Sequence, residues 1–388
     1  MTHHRSMIAR IAMGLGLVAL SALAAPAGAQ KQQAKSQAEK DSAKAAKDST
    51  RQAKAAKAAG VAEGGTAKVA TLFQTSEPLA VTFTVNIKRI KGDRGQNPPW
   101  RAASLTYAGP DGAPVTVPVR AKTRGIWRLK NCEFPPIRFD FSRQTAKHTV
   151  FQDLDRPKLV NYCHDDDTDE QYILQEFQLY RIYNLLTPAS HAVRLLRVAY
   201  TDSASGKIEA TRYGFIEEDP DVVAARNNGR VLKIKGGGPD DFDQFHVALF
   251  GVFQYMIGNT DWALGALHNV ELLGLNSGDY WPIAYDFDFS GAVNARYAVT
   301  DYRLPIRRVR DRLYRGYCVQ ADVYPKVFAL FDAKKDSIYG LYHDSLGKLL
   351  RPKTVDETLR YFDDFYKTID DPRSAKDDII NACLGPKK

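Results

Sequence analysis

Within residues 258–293, GNTDWALGALHNVELLGLNSGDYWPIAYDFDFSGAV, the carboxylates of Asp261, Asp286 and Asp288 and the amides of Asn259 and Asn269 are set between apolar runs. Residues 253–257 precede the stretch, 270–275 lie inside it, and 281–285 lead straight into the last two carboxylates. Apolar runs of this kind make buried strands or helix faces, so these polar groups stand where the chain leaves a core. Asp is rarely buried unless a cation, a hydrogen-bond donor or a metal accompanies it. Asp286 and Asp288 are two residues apart, and on an extended strand both side chains would point to one face. Two carboxylates and an amide oxygen on one face make a hard-oxygen site suited to Mg²⁺ or Ca²⁺. A structural reading competes with it. Asp and Asn also cap helices and form turns, and Ser290-Gly291 marks a turn after the DFDF run.

The elements that must hold these groups fall into two halves. Alternation and Pro-Gly punctuation predict strands over 79–91, 103–107, 115–123, 136–141, 158–162, 192–200 and 211–216. Tyr172, Ile173, Phe177, Tyr180, Tyr183 and Leu186 recur at helical spacing and predict an amphipathic helix over 167–186, with Thr168 or Asp169 as its cap. Further helices are expected over 243–257, 321–331, 334–348 and 355–368. A β-rich part over about 69–235 followed by a helix-rich part over about 236–388 is an α+β pattern.

Residues 1–29 read as a secretory signal: Arg5 and Arg10, an apolar run too short to span a bilayer, then Ala27-Gly28-Ala29. Residues 30–68, rich in Ala and Lys, carry nine Lys/Arg against four Asp/Glu and lack an apolar face, which predicts a disordered basic tail. The chain's net charge is +9; the tail's +5 and the signal's +2 leave about +2 for the rest. The basic character therefore gives little support for nucleic-acid binding by the globular part, and no nucleic-acid partner is expected. No transmembrane anchor is expected, and the chain should be exported to the periplasm or beyond. Cys132, Cys163, Cys318 and Cys383 suggest two disulfides with three possible pairings, of which Cys132–Cys163 with Cys318–Cys383 is preferred.

In their order and spacing these segments resemble the spore-coat protein H (CotH) kinase family, an atypical protein-kinase-like group. Lys122-Thr123-Arg124-Gly125 followed by Pro136-Ile137-Arg138-Phe139 looks like that family's RG…K-x-(hydrophobic)-F strand pair. Lys158-Leu159-Val160-Asn161, an acidic turn and a helix resemble its next block, and the hairpin ending at Glu217-Glu218 is similar to its GxY…E block. Asn259-Thr260-Asp261, Asn269 and Asp286-Phe287-Asp288 look like its N-x-D…N…D-x-D segment. The chain also looks like a group of exported bacterial proteins that share CxFPP and DFDFSG signatures. The chain departs from the family at residues 131–136, where adjacent lysines are common, and at Leu174, where arginine is common.

The resemblance implies a two-lobed, atypical protein-kinase-like fold and phosphoryl transfer from ATP with Mg²⁺ to a protein hydroxyl. It implies that Asp261 orients the acceptor and that Asn269, Asp286 and Asp288 hold metal. Arg124, Lys158 or Lys233 would touch the phosphates, and Glu176 or Glu217 would pair with that cation. Lys235-Gly236-Gly237-Gly238 reads as a hinge or as a cradle of N–H groups for phosphate. A second hypothesis is a non-catalytic protein that binds an envelope component, with Trp100, Trp127, Trp262 or Trp281 stacking on sugars. A hydrolase lacks support: His246 and His268 stand alone, and there is no G-x-S-x-G elbow.

Overall fold

The alternating apolar residues of the first half do form strands, and these strands close on themselves. A computed structural model describes residues 69–386; the expected signal and basic tail lie outside the described residues. Strands β1 (Leu79–Val85), β2 (Arg101–Ala108), β3 (Pro114–Thr123), β4 (Ile137–Phe141), β5 (Lys158–Val160), β6 (Val193–Asp202) and β7 (Ile208–Glu217) form a closed barrel in the order β1-β2-β3-β4-β5-β7-β6. Closure is made by β1 and β6, which pair in parallel from Leu79↔Leu196 to Val85↔Asp202. The other neighbours are antiparallel.

The two-residue period of a strand sorts side chains to opposite faces. Phe83 of β1, Leu105 of β2, Val117 and Ala121 of β3, Phe139 of β4, Leu159 of β5, Tyr200 of β6 and Ile216 of β7 share one buried cluster, which fills the lumen. Phe83 sits edge-on to Phe139 and to Tyr200, at 5.2 and 6.1 Å between ring centres. The intervening residues Val160, Leu195 and Phe215 belong to a second cluster outside the barrel. One wall of strands therefore serves two cores.

The strand expected over 79–91 is cut short at Asn86. Its side chain accepts from Arg89 N and caps helix α1 (Ile87–Gly92). Helix α2 (Trp127–Asn131) follows β3. Helix α3 (Asp167–Leu186) has the expected bounds, but its cap is Asp166, which accepts from the N–H groups of Thr168 and Asp169. Phe177 and Tyr180 of α3 pack on Phe215, so the helix lies against the outer face of β7. Beyond helix α4 (Pro220–Arg226), strands β8 (Gly229–Leu232), β9 (Val270–Leu275) and β10 (Tyr280–Ala284) form a separate sheet in the order β10-β9-β8. Helices α5 (Gln244–Ile257), α6 (Val323–Gly340) and α7 (Pro352–Asp370) complete the second core, α6 replacing the two helices expected over 321–348.

The expectation of a two-lobed, protein-kinase-like α+β fold is overturned. The barrel has no free edge, its outer wall is part of the second core, and the supposed helical half supplies β9 and β10, two strands of a three-stranded sheet. Periodicity located the strands, but a parallel pairing between strands more than a hundred residues apart leaves no local mark.

The two disulfides are Cys132–Cys163 and Cys318–Cys383, the preferred pairing. They fit an exported protein in an oxidising compartment. No helix among the described residues is long and apolar enough to cross a membrane.

Candidate active site

Where α3 crosses the outer wall of the barrel, five segments bring charge together. The chain leaves β10 at Ala284 and does not continue as a strand. Asp286 is in the left-handed region with φ 65°, its N–H donating to Tyr180 Oη at 2.9 Å. The next N–H, of Phe287, donates to Glu176 Oε1 at 3.2 Å. The expectation that Asp286 and Asp288 share one face of a strand is therefore corrected. Side chains of α3 take the N–H groups that a strand partner would have taken. Asp286 remains open to solvent, whereas Asp288 is buried and accepts from Tyr297 Oη at 3.2 Å.

Glu176 is 1 % exposed, and its Oε2 is buried without a hydrogen-bond partner. Burial, then the charges of Asp288 and Asp286, push its carboxyl well above the ordinary range. Burial and Asp286 likewise push Asp288 up to about 7. The protein packed around Asp286 raises its carboxyl as well, although the residue still reaches solvent, and the charge of Arg124 opposes that shift. These three carboxyls repel one another, and each is harder to ionise than an ordinary carboxyl.

Three cations face them. Arg128 sits on α2, which the Cys132–Cys163 bridge ties to the segment leading into α3. Burial works against its charge, but Tyr297, Asp288, Glu176 and Asp286 hold its guanidinium above its ordinary value. Its Nη2 donates to Asn161 O, while its Nε is buried without a partner. Arg124, beside Gly125, has a buried and unpartnered Nε. Lys158 of β5 pairs with Glu217 of β7 at 3.3 Å and lies over the Tyr285 ring at 4.6 Å. Glu217 is buried, which alone would raise it; Lys158, Arg124 and His191 outweigh that and hold it below its ordinary value. Tyr180 Oη donates to Glu217 Oε1 at 3.3 Å, linking the ion pair to the Asp286 backbone.

The loop after α5 forms the opposite bank. Gly258 ends that helix with φ 64° and its Cα lies against Tyr361 Oη, leaving no room for a Cβ. Asp261 N donates to Asn259 Oδ1 at 3.0 Å. Its carboxylate meets His268 Nε2 at 3.1 Å and Asn269 Nδ2 at 3.2 Å. Asn269 O accepts from Tyr285 N at 3.4 Å, which sets this loop beside the Asp286 segment.

Of the residues singled out from sequence, Glu176, Asp286, Asp288, Arg124, Lys158 and Glu217 come together, and Asp261 and Asn269 stand next to them. Lys233 is exposed and paired with Glu271 at 2.7 Å, apart from these groups. The triple glycine offers little as a phosphate cradle: Gly236 N donates to Gly265 O and Gly238 N to Asp241 Oδ2. Sequence reasoning passed over Arg128 and Tyr297, and took Tyr180 only as part of the helix's apolar face. Arg128 lies in a short, non-periodic segment, and nothing in its neighbours marks it.

Among the described residues the one set of three His, Cys, Asp or Glu ligand atoms at mutual metal-binding spacing is Cys163, His164 and Asp169. Cys163 is in a disulfide, so the set lacks the thiolate a metal would take, and Asp169 is ion-paired with Arg296 and meets His164 Nδ1 at 2.8 Å each. No protein-family model matches the chain, and no curated protein matches it.

Proposed function

We propose that this protein acts outside the cytoplasm, in the periplasm or beyond, transferring the terminal phosphoryl group of ATP to a hydroxyl of a protein substrate. One observation carries the reading: Glu176, Asp286 and Asp288 crowd together against Arg124, Arg128 and Lys158, with one Glu176 oxygen buried and unpartnered. Mutually repelling carboxyls beside unsatisfied cations suit a ligand that carries both signs, as a metal-bound phosphate chain does. Asp286 and Asp288, with Asn269, are the residues to hold Mg²⁺, and Glu176 faces them from behind. When bound, the metal neutralises charge on the phosphate oxygens.

The chain's own residues have these roles. Arg124, Arg128 and Lys158 bind phosphate oxygens, and Glu217 fixes Lys158. Asp261, steadied by His268 and Asn269, orients the acceptor hydroxyl. The acceptor oxygen bonds to the γ-phosphorus as the bond from that phosphorus to the β–γ bridging oxygen breaks. The electron pair leaves with ADP, and the hydroxyl proton passes to Asp261.

The test is titration calorimetry of the full chain with ATP, with and without Mg²⁺, alongside Asp286→Asn. The expected result is micromolar binding that needs the metal and weakens at least ~100-fold in the variant, as for loss of a metal ligand or its support. Equal binding by a folded variant removes Asp286 from the site. Absence of binding in the folded parent favours a non-catalytic envelope-binding protein. For that second reading, Trp127, 39 % exposed and packed on Phe289 and Tyr297, offers an aromatic face beside the carboxylates.

A further inference from the structure

Two adjacent rows of side chains cross the outer face of β3, β4 and β5, and their charges are arranged differently. In one row the register pairs Arg120 with Asp140, and Arg156, just before β5, reaches the same carboxylate. There a single carboxylate stands between two guanidinium groups, and they hold Asp140 below its ordinary value against the effect of burial. In the next row the register pairs Lys122 with Arg138 and Arg138 with Lys158. Three cations are direct cross-strand neighbours with no anion between them. Like charges placed opposite one another destabilise a sheet.

Arg138 is the centre of this row. Among the described residues no hydrogen bond or ion pair reaches its guanidinium. Burial, then the positive charge of Arg124, press its pKa below the ordinary value, and Asp219 and Glu217 oppose that without restoring it. Lys122 rests over the Trp100 ring at 4.6 Å, and Lys158 spends its one ion pair on Glu217. The unpartnered Nε of Arg124 lies at the end of β3 that adjoins this row. The row spans about 10 Å, two strand spacings, and ends at the carboxylate cluster.

We propose that Lys122, Arg138 and Lys158, with Arg124, form a groove on the barrel wall that binds a chain of phosphate groups. This extends the phosphoryl-transfer reading and rests on it for the direction in which the chain runs. The phosphate end nearest Lys158 and Arg124 meets the carboxylates, and the remainder lies towards Lys122. The same chemistry is offered by inorganic polyphosphate and by the tail of a nucleoside triphosphate.

The experiment is calorimetric titration of the full chain with sodium tripolyphosphate in the absence of metal, and separately with ATP and Mg²⁺. Arg138→Gln is compared with Arg120→Gln from the row that holds Asp140, and melting temperatures are recorded for both. The expected result is tripolyphosphate affinity weakened at least ~10-fold by Arg138→Gln and little changed by Arg120→Gln. Without ligand, Arg138→Gln should melt higher than the parent, because a repulsive neighbour has been removed; a structural arginine would give a lower melting temperature. Equal losses in the two variants, or none in Arg138→Gln, overturn the groove. Tripolyphosphate binding that depends on Arg138, with ATP binding indifferent to Mg²⁺, keeps the groove for inorganic polyphosphate and sinks the transfer reading.

Discussion

On β3, β4 and β5 the side chains facing the lumen and those facing outward differ in kind. Inward, Val117, Ala121, Phe139 and Leu159 join an unbroken apolar cluster. Outward, the same strands carry Lys122, Arg138 and Lys158 towards Glu217 and the carboxyls around Glu176. Residues one apart along a strand thus belong to different environments. The lumen is filled by apolar and aromatic side chains, with the buried Tyr200 Oη left unpartnered, whereas the outer seam holds like charges together and leaves several polar atoms unpartnered. Stability should therefore answer to inward substitutions and ligand binding to outward ones.

The largest effect on stability is expected from the inward face. Phe139 is fully buried and packs against Phe83 and Phe141 at 5.2 and 6.0 Å. Phe139→Ala should destabilise the protein by about 3–5 kcal/mol, measured by denaturant unfolding. At low denaturant the variant should bind tripolyphosphate as the parent does. A variant that stays stable but loses binding would erase the division between the two faces.

The outward face should respond to pH. In the folded chain Asp288 is pushed from 3.8 up to about 7, so between those values it keeps a proton that the unfolded chain has lost. The folded state then binds more protons, and stability falls as pH rises from about 4 to about 7, by on the order of a few kcal/mol. The melting temperature of the metal-free protein should decline across that window, and Asp288→Asn should flatten the decline. Mg²⁺ should raise the melting temperature more at pH 8 than at pH 5. A metal-free melting temperature that climbs with pH would place Asp288 outside the repelling cluster.

Much of the local structure was legible in the sequence. Apolar spacing located α3, alternation located most strands of the barrel, and the Cys pairing followed from nearest neighbours. The carboxylates and amides of residues 258–293 do gather on the two banks of one seam. Long-range features were not legible. The parallel β1–β6 closure leaves no local signature, and neither does the positive φ of Asp286. Arg128 owes its place to α2 and the nearby disulfide rather than to any pattern of its own.

Two lysine–glutamate pairs sharpen the contrast, because their sequence context did not separate them. Lys158 is one-fifth exposed and its partner Glu217 is 5 % exposed at the side chain. Lys233 is 67 % exposed, and Glu271 holds it at the surface. Removing Lys158 leaves Glu217 buried, with a weaker hold on its charge; Lys158→Ala should cost on the order of 2 kcal/mol. Because Glu217 is held below its ordinary value, its contribution is present at neutral pH and lost as the solution is acidified through that lowered pKa. The gap between parent and Lys158→Ala should therefore narrow in acid. Lys233 lies in solvent and Glu271 keeps 14 % of its side chain exposed, so the pair is screened by water and Lys233→Ala should change stability by less than ~1 kcal/mol and leave ATP binding unaltered. Loss of ATP binding in Lys233→Ala would return that lysine to the site and require the loop after β8 to close over the seam when ligand binds.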